Sequence, residues 1–538
     1  MIQTTSMSKI LTQLFGHLGV WLVLCGIVFP QIATSQSWRE DHAPQREFRA
    51  VWIATVANID YPRRPTLARV AHKEEYKNLL DQYQSLGLNA VIVQIRPASD
   101  ALYPSEFAPW SKYLTGREDR RPEPDYNPLE FMIEEAHKRG IEFHAWLNPY
   151  RATVNKDTVD LSLRHVFNRH RNWMVDYGKR FYLNPAMPEV RQYLTDVVSE
   201  VVENYDVDAI HFDDYFYPYK ENGLEFPDSA DFAFYGRGFN DIGDWRRSNV
   251  DALIEKVSTR IKEIKPHVKF GISPFGVWRN KSQDPYGSDT RAGVTCYDDL
   301  YADVLKWMRQ GWIDYIIPQI YWNIGFAPAD YAKLVDWWSQ QANQCHLFVG
   351  HGAYKVGENQ EPAWHEPDEI PRQIRLNRQN YKAEGSAFYS SRSLLRNMLG
   401  VKDSLRTYFQ YPALLPEMDN LGLRMHGPPI LKRVGRKKGG VYLKWKPSSR
   451  DADNLPFYYA IYRFERSRAG LDYSNGANLL AITSLNDLKK KYTYIDKTAE
   501  PGIIYTYVVK AVNRQHSESP PSEIRRILKT EKGVKNVR

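Results

Sequence analysis

Cysteine is scarce: three occur in 538 residues, and Cys25 lies in the N-terminal apolar stretch, leaving Cys296 and Cys345. Two thiols make no disulfide framework, so the fold must be held by its core. The short signatures of metal and nucleotide sites are also missing. There is no His-x-His pair, no His-Glu-x-x-His helix and no glycine-rich phosphate turn after a strand, so neither a metal nor a nucleotide cofactor is expected. Charge of one sign is not concentrated either: the net +8 is spread along the chain, with local excesses at Arg433–Lys438 and Lys529–Arg538. That distribution gives no nucleic-acid face. It reads as solvated surface and a frayed terminus, able to hold the protein near an anionic polymer such as a cell-wall glycan or lipopolysaccharide.

The one long apolar run is Leu11–Pro30, after a lone Lys9 and before Ala33-Thr34-Ser35. Residues 1–37 therefore read as a secretory signal, which places the protein in the periplasm or outside the cell with no membrane span after cleavage. An uncleaved anchor is the alternative, although Gln13, Gly16 and His17 interrupt the run. Leu24 stands before Cys25 where a lipidation site wants a small residue, which argues against a lipoprotein.

From residue 48 onward, short apolar runs alternate with segments of helical spacing. Strands are expected at 48–56, 90–96, 142–149, 209–214, 269–274, 315–321, 347–352 and 385–391. Helices are expected at 74–86, 128–139, 188–205, 248–264, 297–310, 329–341, 367–381 and 392–399. Eight such units over residues 45–410 predict an α/β fold, a (β/α)8 TIM barrel, whose chemistry sits where strand ends meet the following loops. A proline-containing connector, 411–429, leads to period-two strands at 441–445, 458–464, 479–483, 492–495, 504–512 and 522–528. With Trp445 on an early strand and Tyr505-Thr506-Tyr507 near the end, residues 430–528 resemble a fibronectin type III sandwich, taken as a spacer or docking module.

The stretch Ala209-Ile210-His211-Phe212-Asp213-Asp214-Tyr215 ends an apolar strand in two adjacent carboxylates among aromatic rings. Burying carboxylates is costly, so this pattern points to an active site; the duller reading is a strand-end cap. Other strand ends carry planar donors, acceptors and rings of the kind that bind sugars. The expected substrate contacts are Asp60, Arg96, Asp100, Asn148, Tyr150, Arg151, Tyr215, Trp278, Gln319, Tyr321, Trp322 and His351, with Trp146, Ser273, Phe275 and Tyr389 at the same level. His144 and His211 read as satisfied barrel histidines, and Gln94 and Arg96 could fill the interior by pairing with carboxylates.

Several motifs occur in order: Phe48-Arg49-Ala50-Val51-Trp52, Gln94-Ile95-Arg96-Pro97, Trp146-Leu147-Asn148-Pro149-Tyr150-Arg151, His211-Phe212-Asp213-Asp214-Tyr215 and Pro318-Gln319-Ile320-Tyr321-Trp322. Over residues 45–420 the chain resembles glycosyl-hydrolase-like family 10. The resemblance implies a bacterial envelope protein acting on a glycan, since the family includes a divisome-associated glycosidase of peptide-free peptidoglycan strands.

Two carboxylates working on opposite sides of a glycosidic bond stand about 5 to 9.5 Å apart, which adjacent residues can hardly do. A partner acid could come from Asp60 or Asp100. The mechanism expected instead uses the substrate's own acetamido oxygen as nucleophile, with Asp213 orienting it and Asp214 protonating the leaving oxygen. A two-carboxylate hydrolase of another polysaccharide and a non-catalytic glycan-binding barrel are the competing readings.

Overall fold

The computed structural model describes residues 43–421, 426–449, 456–465 and 470–537; the expected signal segment lies outside them. Eight parallel strands close into a barrel: β1 Phe48–Ile53, β2 Ala90–Arg96, β3 Glu142–Leu147, β4 Ala209–Phe212, β5 Lys269–Ile272, β6 Tyr315–Ile316, β7 His346–His351 and β8 Ala383–Phe388. Each pairs with the next in sequence, and β8 returns to β1. Several strands stop earlier than the apolar pattern suggests. Pro149, Pro274 and Pro318 follow their ends, and a residue without an N–H cannot extend the ladder.

The expected helix 297–310 is broken. Cys296–Asp299 and Val304–Arg309 are separate helices, because Tyr301 takes a left-handed conformation (φ 51°) and the Asp303 carboxylate accepts from Lys306 N, starting a new helix. Helix Pro188–Asn204 buries Val190, Leu194, Val197, Val198 and Val201, as its spacing predicts.

The C-terminal region is an antiparallel β sandwich. Its strands are β9 Ile430–Lys437, β10 Gly440–Lys446, β11 Tyr458–Glu465, β12 Leu479–Ile482, β13 Tyr492–Asp496, β14 Ile504–Val512, β15 Arg525–Lys529 and β16 Val534–Asn536, in sheets β9-β10-β13 and β12-β11-β14-β15-β16. The terminus expected to fray instead forms β16, paired with β15. Tyr505 accepts a hydrogen bond from Glu500 N, five residues upstream.

Neither the connector nor the sandwich behaves as a loose appendage. Leu415, Met418 and Leu421 of the connector pack among inward-facing Phe48, Ala50 and Phe348. His516 of the sandwich meets Glu142 at the start of β3 (2.9 Å), and Arg514 and Asn486 both bond Asp206. From Glu142 a chain of hydrogen bonds climbs the barrel interior: His144 (3.0 Å), the Tyr315 hydroxyl (2.9 Å), His211 (3.0 Å) and Ser273 (2.9 Å). Gly271 makes this possible, since a Cβ there would lie 1.9 Å from the Tyr315 ring.

Candidate active site

At the C-terminal ends of the strands lies a cavity of about 350 Å3, lined by Trp52, Trp146, Asp213, Asp214, Tyr215, Tyr219, Ser273, Phe275, Gln319, Tyr321, Trp322, Tyr354, Lys355 and Tyr389. Strand β4 ends at Phe212 and the chain bends at Asp214. Alternation along the strand therefore no longer applies to the two acids, and both border the same space.

Asp213 is held from below by a relay of amides whose orientation is forced. Gln94 Oε1 accepts from Thr55 N (3.0 Å) and Val56 N (2.9 Å), so its amide nitrogen must face Asn148 Oδ1. Asn148 then has only its own NH2 to offer Asp213 Oδ2. Tyr215 N reaches the other oxygen at 3.4 Å. Asp214 accepts from the Tyr219 hydroxyl and is also bonded by Gln319.

Burial first, and then the charge of Asp214, push the Asp213 carboxyl up to about 7 against the opposing pull of Arg151. Burial raises Asp214 as well, against its bond from Tyr219. Two carboxyls in one dry site titrate as a pair, each disfavouring the other's ionisation. An acid-catalysed reaction here should lose rate as the pair gives up its last proton, above the ordinary carboxylate range, seen as the alkaline limb of a kcat/KM profile. Tyr219→Phe removes a bond that favours ionised Asp214, so that limb should move to higher pH while kcat falls by about tenfold; an unmoved limb would refute the coupling.

The remaining residues named from the sequence divide by position. Tyr215, Gln319, Tyr321 and Trp322 line the cavity; Asn148 stands behind Asp213, and the Arg151 guanidinium lies 4.4 Å from the Tyr215 ring centre. The others are used elsewhere. Asp60 accepts from Ala54 N, Ser390 and Arg392 N, tying the β1 loop to the end of β8. Asp100 accepts from Ala98 N within its own loop. Arg96 meets no carboxylate among the described residues: it donates to Asn148 O and the Tyr193 hydroxyl. Tyr150 is packed in the core, Trp278 stacks on Trp337, and His351 is bonded to Gln373 and Ser386. Burial lowers His351 to about 4, so it is a neutral core group.

Tyr354 and Lys355 also line the cavity without any sequence motif to mark them; only their place, three and four residues past the end of β7, is legible along the chain. Among the described residues, no group of three or more His, Cys, Asp or Glu side chains could hold a metal ion, and no helix is long and apolar enough to cross a membrane.

Residues 47–366 match the model of the glycosyl hydrolase-like 10 family. The chain belongs to that family. Glycosyl hydrolase YngK of Bacillus subtilis is 47% identical over 504 residues, covering 92% of this chain and 95% of that relative. Glycosyl hydrolase DigH of Escherichia coli K12 is 41% identical over 374 residues, covering 65% of this chain and 82% of its own. The solved glycoside hydrolase domain of PgaB (BpsB) from Bordetella bronchiseptica aligns with 68% of this chain and 99% of its own, at 12% identity and a TM-score of 0.46. Within this glycosyl hydrolase-like 10 barrel, Asp213 and Asp214 are the only carboxylates among the residues lining the cavity.

Proposed function

We propose that the protein is an envelope or secreted glycoside hydrolase that cleaves an N-acetylated glycan, such as peptide-free peptidoglycan strands, with the substrate's acetamido group as nucleophile. One observation carries this reading: the cavity's two carboxylates are neighbours in sequence, and no third acid faces them. A two-carboxylate scheme wants its acids on opposite sides of the bond, whereas substrate assistance needs only one side.

In the proposed reaction the acetamido oxygen attacks the anomeric carbon as the bond to the leaving oxygen breaks. Asp213 holds the acetamido N–H, and Asp214 gives its proton to the leaving oxygen. Water then attacks the same carbon, returns its proton to Asp214 and opens the cyclic intermediate, with net retention. The rings of Trp52, Trp146, Tyr321 and Trp322 supply stacking faces for sugars. Trp146 Nε1 is buried with no acceptor among the described residues. The apolar run at Leu11–Pro30 supports export to where such a glycan lies.

Purified protein incubated with peptide-stripped cell-wall glycan, and with the same glycan N-deacetylated, tests the proposal by mass analysis of the products. New reducing ends should appear only with the acetylated material. Equal cleavage of both, or a sugar trapped covalently on Asp213, would overturn it.

A further inference from the structure

Past β7 the chain makes a single 3-10 turn, Ala353–Lys355, which brings the Lys355 side chain to the cavity. In an eight-stranded ring, the seventh strand stands opposite the third, so Lys355 follows the strand that faces the one leading to Asn148. Its Nζ has no hydrogen-bond or ion-pair partner among the described residues; the ring centres of Trp364 and Tyr354 lie 5.9 and 6.0 Å from it. Some part-buried cations are paired, such as Lys262 with Asp314 and Lys306 with Asp251, whereas Lys73 and Lys382 have only ring neighbours among the described residues; what sets Lys355 apart is its place on the cavity lining.

Lys355 is not spent on the acids either. The cation that lowers Asp213 and Asp214 is Arg151, and neither acid lies within ion-pairing distance of Lys355. Burial disfavours the lysine's charge, with Glu361 opposing weakly. A half-buried, unpaired cation on the lining of a sugar-sized space is kept there at a cost that an anionic ligand would offset.

We propose that Lys355 sets specificity by binding a carboxylate on the glycan, carried by a sugar next to the one whose bond is cleaved. This rests on the reading of the cavity as a glycan site and names the class it takes: an acidic N-acetylated glycan. The carboxylate could belong to the lactyl ether of a muramyl unit freed of peptide or to a uronic acid, and both present the same planar anion.

The test uses full-length protein with Asp214→Asn, which holds substrate without turning it over, alone and combined with Lys355→Met or Lys355→Arg. Binding is measured by calorimetry to three probes: peptide-stripped peptidoglycan strands, the same strands with carboxyls reduced to alcohols, and oligosaccharides alternating N-acetylglucosamine with glucuronate. Stripped strands should bind about tenfold more weakly after Lys355→Met, with Lys355→Arg restoring part of the loss, and carboxyl reduction should cost the unsubstituted lysine a similar factor. The probe whose affinity depends on Lys355 identifies the source of the carboxylate. Equal affinity for native and reduced strands, or a Lys355→Met effect of the same size on both, would overturn the assignment. In parallel, wild-type kcat/KM on acidic relative to neutral N-acetylglucosamine oligomers should drop about tenfold on Lys355→Met. Because binding is read separately from product release, a protein that discriminates carboxylates but releases no sugar would sink only the hydrolase reading.

Discussion

Asp214→Asn should lower turnover of peptide-stripped glycan by roughly 1,000-fold while leaving binding measurable, because positioned general acids contribute about 100- to 10,000-fold. Asp213→Asn should be similarly damaging for a different reason. An amide at 213 can present its oxygen to the Asn148 NH2, but it then turns an NH2 of its own toward the substrate's acetamido N–H, and the nucleophile is no longer oriented. The two variants separate on an activated aryl glycoside. Its leaving group needs no proton, so Asp214→Asn should recover much of its rate there and Asp213→Asn should not. Near-normal turnover by both variants on stripped glycan would end the proposed mechanism.

The same substitutions should stabilise the fold at alkaline pH. A carboxyl whose folded pKa is raised, as Asp213 is to about 7, favours the folded state while protonated. Above its unfolded value near 3.8, folding is penalised, and the penalty grows until pH passes the folded value. Replacing either acid removes that penalty, so melting temperatures at pH 8 should rise. Such a gain is expected where a fold carries repulsion for the sake of chemistry.

The second large effect lies at the opposite end of the barrel. Glu142→Ala should destabilise the protein by about 3 to 5 kcal/mol, the usual cost of leaving a buried charge without its partner. Glu142 is 1% exposed and takes Lys269 (2.5 Å) and His516 (2.9 Å) on one oxygen and His144 (3.0 Å) on the other. Burial alone would raise its carboxyl, but Lys269 and the two histidines outweigh that and hold it well below the usual range. Truncation to Ala strands the Lys269 ammonium, itself 1% exposed, inside the barrel floor. It also frees the contact through which the sandwich grips the barrel. Urea denaturation should show a lower midpoint, and limited proteolysis a faster release of the sandwich; a change under about 0.5 kcal/mol would show that the network is dispensable. His516→Ala should cost less, since Lys269 keeps its carboxylate.

Much of this was readable along the chain. The eight barrel strands were all locatable, because strands buried on both faces appear as unbroken apolar runs; several ends were overrun, three of them where prolines cut the ladder. The aromatic setting of Asp213 and Asp214 was legible for the same reason, as polar groups at the end of such a run stand out. Less visible was what each strand-end polar group is for. Asp60 and Lys355 are both charged residues just past a strand, yet three donors consume Asp60 and no ion-pair or hydrogen-bond partner among the described residues reaches Lys355. Spacing cannot separate these cases, since the partners of Asp60 lie six residues away on one side and more than three hundred on the other.

The order of residues by itself determined the strand and helix periods, and hence the barrel, together with the one place where paired acids follow a buried strand. The tertiary structure alone decided that a bend brings both acids to one cavity, that Arg96 and His351 are internal supports, and that the terminal sandwich closes the barrel floor through His516. Local pattern is a property of neighbours in the chain, whereas desolvation, ion pairing and hydrogen-bond satisfaction depend on groups that only the closed barrel brings within about 3 Å of one another.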